Sequence, residues 1–179
     1  MGLRGGQEKK LLRMATLWLS GCSGCHMSLL FTDGFLLELA AAADLVHSPL
    51  ADAPDIPEGV DLMLVEGGVG TEHDRERALL ARSRSRQVVS LGDCAITGNV
   101  PSMRNPFGTK AVIREAYGAE WRPAGIPALL PAVVPLHRVI PVDLFIPGCP
   151  PDPERIRTVL AAIIRGEALQ LQPEMLTFG

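Results

Sequence analysis

The chain is predicted to fold as an α/β domain built on a doubly wound parallel sheet of about five strands, with a long proline-rich insertion before the last strand. Two observations predict this class. Five short apolar runs rich in strand-forming residues recur along the 179 residues, and the stretches between them are long enough to hold helices. Strands that alternate with helices favour a parallel sheet covered on both faces, so one layered domain is expected.

Each predicted strand is an apolar run that ends near a turn signal. The runs lie at about Ala15 to Leu19, Asp44 to His47, Asp61 to Val65, Gln87 to Leu91 and Asp143 to Ile146. The second run is weak, whereas the third, with the sequence DLMLV, is strong and follows a proline-rich linker. These runs set the number of strands at about five.

Helical patterns fill the gaps between the strands. A helix is predicted from near Met27 to Ala43, and Gly34 is expected to bend or break it. Another helix begins at Thr71, whose spacing to Asp74 is that of a capping box. A further helix is predicted around Lys110 to Tyr117, before a glycine that ends it.

The clearest helix follows the last strand. Asp152 can cap its first turn, Pro153 suits that turn, and Gly166 marks its end. Apolar side chains recur at helical spacing along one face, at Ile156, Val159, Leu160, Ile163 and Ile164. This face is expected to pack against the sheet.

The chain is divided into three parts by this pattern. Residues 1–13 are predicted to be an N-terminal extension, residues 14–166 the folded domain, and residues 167–179 a C-terminal tail. Between Ala95 and Val142 the domain contains seven prolines. Long proline-rich segments are uncommon inside compact domains, so this one is expected to serve a site or a partner.

Composition excludes several classes of function. A hydrophobic fraction of 47% is ample for a packed core, and a net charge of −3 with few aromatic residues argues against nucleic-acid binding. No window approaches the roughly 20 apolar residues of a membrane span. The N-terminus lacks the features of a secretory signal, so a reducing, cytoplasmic location is expected.

The four cysteines are the most informative residues, because each follows an apolar run directly. Cys22 and Cys25 lie three positions apart in LWLSGCSGCH, Cys94 lies in LGDC and Cys149 lies in IPGCPP. They are too few and too dispersed for a disulfide scaffold. A lone cysteine after a strand is usually a small buried apolar residue, but the same placement of all four makes coincidence a poor explanation.

Topology predicts where these cysteines meet. In open parallel sheets, ligands bind outside the carboxyl ends of the strands. If the strands take the flavodoxin-like order 2-1-3-4-5, strands one, three, four and five are neighbours. The turns after these four strands carry all the cysteines, together with Glu66 of VEGGVG. The sequence therefore predicts that four thiols gather at one edge of one sheet.

Four thiolates can hold zinc or an iron-sulfur cluster. Structural zinc usually draws on two CxxC units and stabilises small domains that lack a core. One close pair with two single cysteines better suits a [4Fe-4S] cluster, whose iron corners can be reached from separate loops. Glycines beside the cysteines, at Gly21, Gly24, Gly92 and Gly148, let backbone amides approach the sulfurs and tune the potential.

A different class of function stays open on these residues. A CxxC between a strand and a helix is also typical of a thioredoxin-like dithiol oxidoreductase, in which the helix start lowers a thiol pKa. This alternative uses Cys22 and Cys25 and leaves Cys94 and Cys149 without a role.

Other polar residues carry weaker expectations. Glu66 could accept a hydrogen bond from a backbone amide beside the cluster or contact a partner, and a simple turn role is an equal alternative. His26 is expected to be a satisfied histidine beside the ligands or an interface histidine rather than a fifth ligand. Five arginines between Arg75 and Arg86 form a solvated helix face or a surface for an acidic partner.

The four motifs CSGCH, VEGGV, GDCA and PGCPP, in this order after successive strands, resemble the small subunit of nickel-iron hydrogenases, most of all the cytoplasmic NAD-reducing (bidirectional) type. The resemblance covers roughly Leu17 to Gly166. The cluster-bearing quinone reductase subunit of respiratory complex I looks similar in PGCPP. Its first motif, however, has adjacent cysteines, whereas two residues separate Cys22 from Cys25.

The resemblance implies a flavodoxin-like fold with one proximal [4Fe-4S] cluster on Cys22, Cys25, Cys94 and Cys149, and no catalytic residues on this chain. It further implies a large subunit that holds the nickel-iron centre. The chain would relay electrons from that centre to a diaphorase module with flavin and further clusters, which reduces NAD. Two departures from relatives are Met27, where many have a glutamate, and no cysteine-rich extension before Gly179.

Overall fold

The structure is a computed structural model that describes residues 10–51, 53–120, 124–169 and 172–178. The first nine residues of the predicted N-terminal extension lie outside this part of the chain, as do residue 52 of the predicted proline-rich linker and residues 121–123 of the predicted insertion. Residues 170, 171 and 179 of the predicted tail lie outside it as well.

Seven strands are found in the described residues. They are β1 (Leu12–Trp18), β2 (Ala43–His47), β3 (Val60–Glu66), β4 (Val69–Thr71), β5 (Ser85–Leu91), β6 (Leu129–Val134) and β7 (Leu144–Ile146). Five of them form a sheet in the order β2-β1-β3-β5-β7, and every neighbouring pair is parallel. The predicted fold class and strand order are confirmed.

Helices cover both faces of this sheet. They are α1 (Gly24–Leu30), α2 (Phe35–Ala42), α3 (Glu72–Arg84), α4 (Asp93–Thr97), α5 (Asn99–Ser102), α6 (Thr109–Tyr117) and α7 (Pro153–Arg165). Short 3-10 turns lie at Asn105–Phe107, Leu136–Arg138 and Pro173–Leu176. Helix α3 begins with the predicted capping box of Thr71 and Asp74, and α7 has Asp152 as its N-cap.

The core consists of two apolar layers, one on each face of the sheet. Successive residues of a strand point to opposite faces, so Met63 and Val65 of β3 lie in the layer beneath α3, with Ala78 and Ala81. The layer on the other face contains Leu62 and Leu64 of β3. It also contains residues of α1, α2 and α7, namely Leu29, Phe35, Leu39, Ile156, Val159 and Leu160. Both layers are needed to bury the central strands.

The helix predicted from Met27 to Ala43 is broken where Gly34 was expected to break it, because α1 ends at Leu30 and α2 begins directly after Gly34. The chain turns at residues 31–34, where Asp33 has a left-handed φ of 49°. The structure differs from the sequence-based expectations in the insertion. The proline-rich insertion contributes β6, which pairs with β4 in a separate antiparallel sheet. Pro131 lies inside β6 and hides its strand pattern, since proline weakens a strand prediction.

No single helix in the described ranges has both the length and the apolar composition to cross a membrane. Only α1 and α2 together meet that test of length and composition, and their axes are bent by 93°.

Candidate metal centre

The four cysteines meet at the carboxyl edge of the sheet, around one cavity of about 100 Å³. Cys22 lies in the turn after β1, Cys25 in the first turn of α1, Cys94 in α4 after β5, and Cys149 in the turn after β7. All four are free thiols. Residues separated by up to 127 positions along the chain are thus brought together because neighbouring parallel strands end at the same edge.

The cavity has a buried side and an open side. Cys25 and Cys94 are half-buried, whereas Cys22 and Cys149 are exposed. The other residues of its wall are glycine, proline and serine at the turns, together with the carboxylates of Glu66 and Asp93. Two sulfurs therefore face the interior of the domain and two lie at its surface, where a partner subunit can reach them.

Glycine at two wall positions leaves room for the thiols. An added Cβ at Gly92 would lie 2.2 Å from Cys25 Sγ, and one at Gly24 would lie 3.3 Å from Cys22 Sγ. Gly92 also has a φ of 82°, which L side chains rarely adopt. The turn before Cys94 accordingly requires glycine for its backbone conformation and for the space occupied by Cys25.

Glu66 ends β3 and holds the turn that carries the first two cysteines. Its Oε2 accepts a hydrogen bond of 2.8 Å from the backbone N–H of His26, and both side chains are only 2% exposed. His26 Nδ1 also lies 3.1 Å from the same oxygen. Of the three roles considered for Glu66, acceptance from a backbone amide beside Cys25 is observed. His26 is buried, but within the described residues neither of its ring nitrogens makes a hydrogen bond, so the expectation of a satisfied histidine is wrong.

Asp93 performs a similar role on the other side of the cavity. Its Oδ1 accepts a hydrogen bond of 2.7 Å from Gly148 N–H, and its own N–H donates to the carbonyl of Gly148 at 2.9 Å. Asp93 is only 5% exposed. Asp93 was not among the residues predicted from the sequence, although its position directly before Cys94 was a signal for it.

Ser28 was also missed by sequence reasoning. Its hydroxyl donates a hydrogen bond of 2.5 Å to the carbonyl of Pro151, so α1 is tied to the turn after Cys149. A serine in the middle of an apolar helix gives no local signal for such a contact, because the acceptor lies 123 residues further along the chain.

The electrostatic environment keeps the buried thiols protonated. Burial raises the pKa of Cys25, and the negative charge of Glu66 raises it further. Burial likewise raises the pKa of Cys94, as do the neighbouring Cys149 and Cys22. Thiolate formation at these positions therefore requires a compensating cation, and metal binding would release the thiol protons.

A thioredoxin-type dithiol would use Cys22 and Cys25 alone, whereas the structure brings Cys94 and Cys149 to the same cavity. Within the described ranges, no three His, Cys, Asp or Glu side chains are grouped closely enough to hold one metal ion. A mononuclear zinc site needs its ligands gathered at about 2.0–2.3 Å from one centre.

The basic stretch of α3 and β5 is largely neutralised within the chain. Arg75 pairs with Glu72, Arg82 with Asp143, Arg84 with Glu58 and Arg86 with Asp61. Arg77 instead donates a hydrogen bond of 3.0 Å to His47 Nε2. These contacts favour the solvated helix face over a surface for an acidic partner.

The sequence that carries the four cysteines matches a known family. A family model described as NADH ubiquinone oxidoreductase, 20 Kd subunit, matches residues 22–163, which include all four cysteines. The chain belongs to this family.

Relatives of this chain carry hydrogenase names. The chain is 38% identical to the NAD-reducing hydrogenase HoxS subunit delta of Cupriavidus necator, over 94% of this chain and 86% of that protein. It is 36% identical to a vhu subunit of the F420-non-reducing hydrogenase of Methanocaldococcus jannaschii, over 89% of this chain. The chain spans 58% of the length of that second protein.

Solved structures show the same fold. A crystal structure of an NAD+-reducing [NiFe]-hydrogenase in the H2-reduced state superposes with a TM-score of 0.88 at 33% identity, covering 95% of this chain and 100% of the matched chain. A [NiFeSe]-hydrogenase of Dm. baculatum, at 17% identity and a TM-score of 0.59, shares the fold alone. The resemblance to hydrogenase small subunits that the four motifs indicated is confirmed.

Proposed function

We propose that this chain is the electron-transfer small subunit of a soluble NAD-reducing nickel-iron hydrogenase and that Cys22, Cys25, Cys94 and Cys149 bind one [4Fe-4S] cluster. The observation that carries the proposal is the convergence of all four cysteines on one cavity, in a chain similar to hydrogenase subunits. The described part of the chain contains no other cysteines.

The donor set and the cavity fit this group. Four thiols from three separate segments suit a cluster with iron at several corners, and glycines leave the sulfurs unobstructed. Burial raises the pKa of Cys25 and of Cys94, so a positively charged metal beside them would stabilise the thiolates that a cluster requires. The wall contains Gly21 and Gly24 before the first two cysteines and Gly148 and Pro150 on either side of Cys149, so backbone encloses much of the site.

When bound, the cluster would supply a one-electron relay. The residues of this chain position the four sulfurs, shield two of them in part from water and place two carboxylates in the wall of the cavity. Cys25 and Cys94 lie on the interior side, and Glu66 and Asp93 hold the turns beside them. Burial and nearby negative charge both disfavour an additional electron, so these residues favour a low reduction potential.

The partners follow from the proposed relay. We infer a large subunit that holds the nickel-iron centre, as in hydrogenases, and a diaphorase module with flavin and further iron-sulfur clusters that reduces NAD. The exposed Cys22 and Cys149 lie where a partner can cover them. A cytoplasmic location suits thiols that must remain reduced until metal binds. The division of the chain at residues 14 and 166 belongs to the same proposal.

A complex I-like quinone reductase subunit is the second candidate, because the matching family model has that description. The spacing of Cys22 and Cys25 favours the hydrogenase, as does the identity of 38% to the HoxS delta subunit. Activity separates the two: a complex that oxidises H2 with NAD supports the hydrogenase, and one that only reduces quinone supports the alternative.

The test uses Cys→Ser variants at the four positions, in the full chain expressed together with its partner subunits and purified without oxygen. We expect about four iron and four acid-labile sulfides bound to the wild-type chain. Cys94→Ser and Cys149→Ser should lose this cluster and H2-dependent NAD reduction. Wild-type levels of iron and NAD reduction in Cys94→Ser would refute the assignment, and zinc without sulfide would indicate a structural metal site instead.

A further inference from the structure

Cys94 and Cys149 belong to different motifs, so something must fix their separation. Three hydrogen bonds join the two turns. Gly92 N–H donates to Ile146 O at 2.8 Å, Asp93 N–H donates to Gly148 O at 2.9 Å, and Gly148 N–H donates to Asp93 Oδ1 at 2.7 Å. The first bond extends the ladder of β5 and β7, whereas the other two form a reciprocal pair between Asp93 and Gly148.

The side chain of Asp93 has no other partner that explains its burial. It is 5% exposed, and among the described residues no Lys, Arg or His lies within ion-pair distance of it. A buried carboxylate without a cation is costly unless its hydrogen bonds are important to the structure. Here the carboxylate accepts from the residue directly before Cys149.

Gly148 is constrained to donate this bond. Its φ is 135°, and an added Cβ would lie 2.4 Å from Pro151 Cα, so only glycine fits. The backbone conformation that turns Gly148 N–H towards Asp93 also sets the direction in which the chain enters Cys149. The contact between Asp93 and Gly148 therefore fixes one cysteine turn against the other.

We propose that Asp93 is a positioning residue for the metal centre, which holds the Cys149 turn against the Cys94 turn by accepting the N–H of Gly148. This inference rests on the proposed function. Glu66 has the same relation to the turn of Cys22 and Cys25, through His26. Asp93 differs from Glu66 because it joins the turns of Cys94 and Cys149, which lie in different motifs.

The chain contains a matched control at the other end of the same two strands. Asp143 precedes β7, and its Oδ2 accepts from Val88 N–H at 2.7 Å while its own N–H donates to Val88 O at 2.9 Å. These are the same two bonds, of the same lengths, as those between Asp93 and Gly148. Asp143 differs in being exposed and in pairing with Arg82 at 2.6 Å, so its replacement removes an ion pair as well. Asp143 lies before β7, at the end of the strand away from Cys149. Its replacement therefore removes a reciprocal pair of hydrogen bonds without removing a residue of the metal centre.

The experiment compares Asp93→Ala, Asp93→Asn and Asp143→Ala in the full chain purified without oxygen. Iron and acid-labile sulfide are measured, an iron chelator is titrated against each variant, and the EPR spectrum of the reduced protein is recorded. Circular dichroism shows whether each variant is folded. Asn keeps an oxygen that can accept from Gly148 N–H, so Asp93→Asn distinguishes positioning from a general change at this residue.

We expect Asp93→Ala to release iron at a chelator concentration about 10- to 100-fold lower than the wild-type chain, the usual effect of losing a residue that orients metal ligands. Its EPR spectrum should change. Asp93→Asn and Asp143→Ala should hold iron as the wild-type chain does.

Unchanged iron binding in Asp93→Ala would overturn the inference. So would an equal loss in Asp143→Ala, or a loss in Asp93→Asn as large as that in Asp93→Ala. A wild-type chain that binds no iron would instead overturn the proposed function, and the inference with it.

Discussion

Glu66 Oε2 lies 2.8 Å from the backbone N of His26, and this hydrogen bond joins the end of β3 to the helix that carries Cys25. Both residues are almost completely buried. The donor lies 40 positions before the acceptor in sequence. A buried backbone N–H must be paired, so Glu66 provides the turn of Cys22 and Cys25 with an anchor on the sheet.

Replacement of Glu66 tests this anchor. Glu66→Ala leaves the N–H of His26 buried and unpaired, which we expect to lower the free energy of unfolding by about 1–3 kcal/mol. Glu66→Gln retains an acceptor oxygen and should lose less. Urea unfolding of the full chain measures both. Equal losses of unfolding free energy in the two variants would show that Glu66 does not stabilise the protein through this hydrogen bond.

Alanine substitutions at Gly92 and Gly118 form a matched pair for testing the space that Gly92 leaves for Cys25. Their backbones are nearly the same, with φ and ψ of 82° and 161° at Gly92 and of 86° and 164° at Gly118. Strain from alanine at either position is about 1–3 kcal/mol. Only at Gly92 does the added Cβ meet Cys25 Sγ, whereas nothing lies within 4 Å at Gly118.

We therefore expect Gly92→Ala to lose bound iron and sulfide, and Gly118→Ala to lose only stability. Iron and sulfide assays with thermal unfolding of both variants check this. If both variants kept full iron, the close approach of Gly92 to Cys25 would have no role in the metal centre.

The capping box of α3 provides a prediction about the scaffold. Thr71 Oγ1 accepts from Asp74 N–H at 2.9 Å, and Asp74 Oδ2 accepts from the N–H groups of Thr71 and Gly70. Thr71→Ala should lower the free energy of unfolding by about 1 kcal/mol, and Thr71→Ser should restore most of it. Thermal unfolding measures both. A loss in Thr71→Ser equal to that in Thr71→Ala would contradict the capping role.

His47 predicts how stability depends on pH. Burial lowers the pKa of His47, its hydrogen bond to the carbonyl of Ala53 opposes this, and the nearby Arg77 lowers the pKa further. The unfolded chain then binds the proton more readily than the folded chain. Stability is present above the ordinary histidine pKa of about 6.5 and falls as the pH drops below it.

Urea unfolding of the full chain between pH 5 and pH 8 should show this loss, and His47→Asn should make the dependence shallower. His73→Asn is the control, because His73 is exposed on α3. If the stability of His47→Asn depended on pH as steeply as that of the wild-type chain, His47 would be excluded as the source of the dependence.

The local signals of the sequence were sufficient for most of the scaffold. Apolar runs located all five strands of the central sheet within about three residues, and the caps at Thr71 and Asp152 set the starts of α3 and α7. Glycine after Tyr117 ended α6 as expected, in a conformation with positive φ. These features depend on residues close in sequence, so a local pattern contains them. The β4–β6 pair was missed because β4 has only three residues and β6 contains a proline.

The sequence alone also determined which thiols can meet, since each cysteine follows a strand and parallel strands end at a common edge. Only the tertiary structure decided how they are held: Glu66 to His26, Asp93 to Gly148 and Ser28 to Pro151 are bonds across 40, 55 and 123 positions. It also decided which cysteines are exposed. Hydrogen bonds and burial of this kind depend on the packing of distant segments, and a buried carboxylate looks the same in sequence as one on the surface until its partner is in place.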